Sequence, residues 1–150
     1  MKPGREAFLD SPVFADHLVS ATGGCSFLIK CMTVFDHCYT SVVNIAEVLS
    51  ACDTSEQRET AKRAFYGTGL LGMPYRYSVK MSEVLKESID CKEGNFRDAF
   101  VITMCSEAKL PLVTYDTGRY LSLSEKFSVK LISRQEVIRK YNSVIKNKPG

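Results

Sequence analysis

Four acidic residues stand where a carboxylate could do chemistry: Asp10, Glu47, Asp98 and Asp116. Asp98 poses the sharpest question. In "EGNFRDAFVITMCSEAKLPLVTYDTG", residues 93–118, Phe100, Val101, Met104, Cys105 and Ala108 recur at helical spacing after Asn95. Asp98 precedes Val101, Ile102 and Cys105 by three, four and seven positions, so it shares their apolar stripe. An ionised carboxylate withdrawn from water loses its charge or needs compensation. Something should compensate this one.

The neighbouring elements place the other three. "AFL" at 7–9 reads as a strand, and Asp10 follows it directly. "LPLVT" at 110–114 reads as another strand, with Asp116 just beyond Tyr115. In an open parallel sheet, ligands bind outside the carboxyl ends of the strands, so both aspartates belong at one rim. Glu47 and Asp98 are expected in the first turns of helices, the former in "NIAEVLSAC". That arrangement can gather four carboxylates at one end of a sheet.

The rest of the chain alternates in the same way. "SPVFADHLVSA" and "GCSFLIKCMTVF" read as helices, "HCYTSVV" as a short strand, and "SEQRETAKRAFYG" as a polar helix from Ser55 to Gly67. "LLGMPY" reads as a strand before a helix at 77–89. "FSVKLI" at 127–132 alternates with period two, and "SRQEVIRKYNSVIK" closes the series as a helix. Strands alternating with helices imply an α/β fold, a mostly parallel sheet covered on both faces. A length of 150 residues suits one domain, 1–150.

Composition narrows the function classes. A net charge of +3 permits an acidic partner without arguing for one. No apolar run is long enough to cross a bilayer, and "MKPGREAFLD" lacks the apolar core of a signal peptide. A cytoplasmic location is expected. The six cysteines (25, 31, 38, 52, 91 and 105) form no Cys-x-x-Cys pair, and several lie inside apolar segments, so all are read as reduced.

Each carboxylate also has a local explanation. Asp10 can cap the helix beginning near Pro12. Asn44-x-x-Glu47 and Asn95-x-x-Asp98 resemble capping boxes, and Asp116-Thr117-Gly118 resembles a turn. Capping does not require the four to meet. Convergence around a divalent cation would keep them ionised in a partly buried site; magnesium or manganese suits oxygen ligands, and one or two ions are expected.

"AFLDSPVFADHL", "YTSVVNIAEVL", "FRDAFVITMCSEAKLPLVTYDTGRY" and "KFSVKLISRQEVI" resemble the successive blocks of PIN-domain nucleases, in order and at similar spacing. The pattern is most similar to small single-domain toxins of bacterial toxin–antitoxin pairs. The resemblance implies a three-layer α/β/α sandwich and a metal-dependent ribonuclease acting on RNA. Asp10, Glu47, Asp98 and Asp116 match the family's acidic positions in order. Ser11 and Thr114 match hydroxyl positions that would orient carboxylates. A small protein antitoxin is implied as partner, inserting a basic or apolar segment into the site. The residue two after the first aspartate, commonly Asn or Ser in the family, is Pro12 here.

Other features are weaker. Arg97 and Arg119 flank the expected site and could hold RNA phosphate, although solvated surface arginines are the blander reading. Arg58, Lys62 and Arg63 read as a solvated face. His17 and His37 have no visible partner for acid–base work. "CSFLIKCMTVF" reads as core by default, but two such apolar helices make a homodimer plausible. The alternative to an enzyme is a PIN-like module that binds RNA or protein without cutting. A phosphate-handling hydrolase with Asp10 as nucleophile ranks below both, since its second aspartate would fall at Pro12. If only carboxylates crowd the site, Asp98→Asn should relieve like-charge repulsion in the metal-free protein.

Overall fold

The computed structural model describes residues 5–20, 24–90 and 95–149. Alternation along strand β1 (Glu6–Leu9) sets its layers: Ala7 and Leu9 enter one apolar cluster, and Phe8 enters another on the opposite face. All three are fully buried, as expected for the middle strand of a covered parallel sheet.

From the amino end follow α1 (Ser11–Val19), α2 (Phe27–Val34), β2 (His37–Ser41), α3 (Val42–Ser50), α4 (Ser55–Tyr66) and β3 (Gly69–Leu71). A 3-10 turn (Tyr75–Tyr77) leads into α5 (Ser78–Asp90). After it come α6 (Phe96–Ala108), β4 (Leu112–Val113), α7 (Thr117–Lys126), β5 (Leu131–Ile132) and α8 (Arg134–Lys146). The five strands run parallel in the order β3-β2-β1-β4-β5. Helices α1 to α4 and α8 bury Phe14, Leu28, Val48, Phe65 and Val137 against one face. Helices α5, α6 and α7 bury Val84, Ile102 and Tyr120 against the other. The result is the expected α/β/α sandwich.

Backbone bonds fix the carboxyl rim. Asp10 N–H donates to Val113 O at 3.1 Å, and Thr114 N–H donates to Ile132 O at 3.2 Å. The side chains following β1 and β4 therefore leave the sheet beside each other. Pro12 lies in the first turn of α1, where its missing N–H has no partner to lose. Its presence is neutral for the local backbone.

Several elements depart from the sequence reading; the strand expected over 70–75 covers only Gly69–Leu71. Val42 and Val43 belong to α3 rather than β2, because Ser41 caps that helix by accepting Asn44 N–H at 3.2 Å. The cap outweighs the β-branched preference of the pair. Helix α7 replaces the turn expected at Asp116-Thr117-Gly118: Asp116 is its N-cap, and Tyr120 and Leu123 bury on its inner face. The expected strand at 127–132 shrinks to Leu131–Ile132, since Phe127 ends α7 and Ser128 adopts a φ of 56°. A left-handed residue there breaks the alternation.

The apolar residues of α2 are mostly core: Phe27, Leu28, Cys31 and Val34 are buried, while Ile29 stays exposed. Cys25, Cys31, Cys38, Cys52 and Cys105 are free thiols. Cys91 lies outside the described residues. Burial pushes the Cys38 thiol up to about 12, so it behaves as a small hydrophobe. No helix of the described residues is long and apolar enough to cross a membrane.

Candidate functional site

Asp10 emerges from β1 as the N-cap of α1, its Oδ1 accepting Ser11 N–H at 2.9 Å. The capping role expected of it is therefore real, yet it uses only part of the carboxylate. Oδ1 also accepts from Arg97 Nη2 at 2.5 Å and from Asn44 Nδ2 at 3.5 Å. Oδ2 accepts the hydroxyls of Tyr120 at 3.0 Å and Thr114 at 3.1 Å. With 2% exposure, Asp10 accepts from five donors, contributed by four helices and the β4 rim.

Asp98 lies in the first turn of α6, after Asn95, whose side chain accepts Asp98 N–H at 3.0 Å. Its own carboxylate faces inward at 2% exposure. Arg119 Nε donates to Oδ2 at 2.8 Å. Oδ1 lies 2.7 Å from Arg119 Nη2 and 3.5 Å from Arg97 Nη1, yet neither contact is aligned as a hydrogen bond. Two guanidinium groups thus compensate the carboxylate on the apolar stripe. Its neighbours are cations as well as carboxylates.

Glu47 sits in the second turn of α3, not the first, because the helix begins at Val42. Its side chain is 46% exposed. Oε2 accepts from Ser11 Oγ at 2.7 Å and Arg97 Nε at 3.1 Å. Asn44, read from sequence as a cap, is buried and donates to Ser11 Oγ at 2.8 Å. Ser11 Oγ donates to Glu47, and Thr114 Oγ1 donates to Asp10 at 3.1 Å.

Asp116 has its side chain engaged by its own helix. It is exposed and caps α7, accepting Arg119 N–H at 3.1 Å, so the local explanation suffices for its side chain. Its backbone N–H reaches Thr114 Oγ1 at 3.3 Å, two steps from Asp10. Asp10, Glu47 and Asp98 come together on one guanidinium, and Asp116 does not join them.

Arg97 is the centre of the cluster rather than a solvated surface group; only 17% of its side chain is exposed. Burial opposes its charge, but Asp10, Tyr120 and Glu47 together push the guanidinium above its ordinary range. Arg119, 40% exposed, is likewise pushed up, chiefly by its hydrogen bond to Asp98. Tyr120 is fully buried. It accepts from Arg97 Nη1 while donating to Asp10, and burial followed by Asp10's charge pushes its phenol up. Sequence reasoning missed Tyr120 because α7 was read as a turn. The spacing Tyr120, Leu123, Phe127 was the available signal.

The donor types are those a divalent cation takes: Asp10 and Glu47 meet at Arg97 Nη2, Asp98 lies 3.5 Å from Nη1, and the buried Asp98 Oδ1 lacks a hydrogen bond. Among the described residues, however, no three Asp, Glu, His or Cys side chains stand at metal-ligand spacing. The guanidinium of Arg97 occupies their common centre. In donor type these carboxylates match a hard divalent ion, and the guanidinium stands where it would bind.

No protein-family model and no curated protein matches the chain. Two solved structures share its architecture. One is a member of the VapBC family of toxin–antitoxin systems, VapBC-5, from Mycobacterium tuberculosis, at a TM-score of 0.61 and 18% identity, covering 86% of this chain and 98% of that one. The other is FitAcB from Neisseria gonorrhoeae, at a TM-score of 0.59 and 11% identity, again covering 86% and 98%. At such identities the likeness is one of fold. The chain has the PIN-like α/β/α fold that its sequence blocks resemble.

Proposed function

We propose that this protein is a Mg2+- or Mn2+-dependent endoribonuclease, the toxin of a toxin–antitoxin pair, working in the cytoplasm as a homodimer. The observation that carries the reading is the meeting of Asp10, Glu47 and Asp98 on one cation at the carboxyl rim of a parallel sheet. The shared fold with VapBC-5 supports it. A divalent ion bound by these residues would polarise a phosphoryl oxygen and activate water.

The chain's own groups have separable tasks. Thr114 and Tyr120 lock Asp10 in one orientation, and Ser11 does the same for Glu47. Glu47 is the carboxylate open to solvent, so it is placed to take a proton from an attacking water. Arg119 anchors Asp98 while remaining 40% exposed, where an RNA phosphate oxygen can reach it. Phe96 and Leu121, adjacent in sequence to Arg97 and Tyr120, are 68% and 52% exposed. Such exposed apolar side chains would give an antitoxin segment apolar footing.

Incubation with single-stranded RNA tests this directly. Cleavage should require Mg2+ or Mn2+, stop under excess chelator, and fall to background in Asp10→Asn. Cleavage that survives chelation would remove the metal-dependent mechanism. Arg97 at the centre of the carboxylates favours a second reading, an RNA- or protein-binding module that does not cut. Tight RNA binding with intact RNA at saturating metal would select it.

A further inference from the structure

Arg97 occupies the second position of α6, between exposed Phe96 and buried Asp98. A helix amino end carries partial positive charge and disfavours a cation in its first turn. The local setting therefore does not draw this guanidinium inward. Carboxylates from three separate elements do: Nη2 lies 2.5 Å from Asp10 and 3.0 Å from Glu47, and Nη1 lies 3.5 Å from Asp98.

We propose that Arg97 is the resident counter-cation of this site, and that a divalent ion and Arg97 bind the same carboxylates in mutual exclusion. The proposal rests on the metal-dependent reading above and adds how that site is held when no ion is bound. A guanidinium and a dication a few ångströms apart in a partly buried site repel each other, so one must leave.

The surroundings allow Arg97 to leave without stranding the acids. Asp10 keeps the hydroxyls of Thr114 and Tyr120 and the Ser11 N–H. Asp98 keeps Arg119, which grips it from the other side through Nε and Nη2. Asp98 Oδ1, the buried atom without a hydrogen bond, then loses its 3.5 Å contact to Arg97 Nη1 and keeps the 2.7 Å ion pair to Arg119 Nη2. Glu47, 46% exposed, marks the solvent side through which the guanidinium withdraws. Arg97 thus sets the concentration of divalent ion at which the site becomes loaded.

Thermal unfolding of the whole chain, titrated with MgCl2 or MnCl2 alone, tests this without reference to activity. Wild type, Arg97→Gln and Arg97→Lys are compared. Without metal, Arg97→Gln should melt below wild type. Its Tm should then rise with metal at a midpoint at least about tenfold lower than wild type, within the usual range of coupling between two ligands. Arg97→Lys should fall between them, because an ammonium keeps the charge but loses the fork that spans three carboxylates. If Arg97→Gln does not fold, Arg97→Lys against wild type carries the same comparison. Equal midpoints in all three proteins would overturn the competition while leaving the metal site standing. No rise in any of them would overturn the metal site and the competition together.

Discussion

At the carboxyl ends of β1 and β4, Asp10 and Asp98 are each 2% exposed, and each touches at least one guanidinium. At the amino ends of the same strands, Arg5, Lys130, Arg139 and Lys140 border a hollow of about 540 Å3 floored by Val34, Phe35 and Ile132. There Arg5, Lys130 and Arg139 stay exposed. The amino-end hollow is bordered by charges left in water, whereas the carboxyl end holds its charges out of water. A charge kept in water needs no particular partner, and its removal disturbs little. A charge taken out of water must be matched, so each residue of the carboxyl rim depends on the others. Coupling, rather than volume, separates the two ends.

Substitutions can break or sharpen that contrast. The largest effect is expected from Asp10→Ala, which leaves Arg97, Thr114 and Tyr120 without their shared acceptor; breaking a buried pair in this way costs about 3–5 kcal/mol. Urea unfolding would measure it, and a loss below about 1 kcal/mol, the worth of an ordinary surface pair, would erase the difference between the ends. Asp98→Asn comes next. Losing a charged acceptor for Arg119 should destabilise by about 1.5–3 kcal/mol. Like-charge crowding would instead raise the Tm, so the sign of the shift decides between the two accounts. Asp116→Ala should cost about 1 kcal/mol through loss of the α7 cap alone. A loss matching that of Asp10→Ala would return Asp116 to the coupled set. Smallest is Lys130→Gln at the amino end, expected within about 0.5 kcal/mol of wild type by the same denaturant titration.

The layered fold was legible because burial repeats at short range: β1, the stripe of α6 and the pattern of α8 each announce themselves within a dozen residues. Asp10, Glu47 and Asp98 were legible as acids beside a rim. What compensates them was not. Arg97 follows a surface aromatic and opens a helix, and its inward turn depends on Asp10 and Glu47, which are 87 and 50 positions away. No local pattern encodes that contact. Tyr120 was hidden by Gly118, which argues against a helix in sequence but is tolerated in the first turn of α7 because Tyr120 and Leu123 bury behind it. Asp116 shows the converse. Its position fits the acidic pattern, while its side chain answers to the local cap.

The most direct measurement of the account is a double-mutant cycle between Arg97→Gln and Asp10→Asn, read as unfolding free energies in metal-free buffer. A guanidinium that truly links the carboxylates predicts a coupling of about 1.5 kcal/mol or more, within the range seen for residues in one buried network. Losses that simply add would contradict it, and Arg97 would then be a bystander to the acidic cluster.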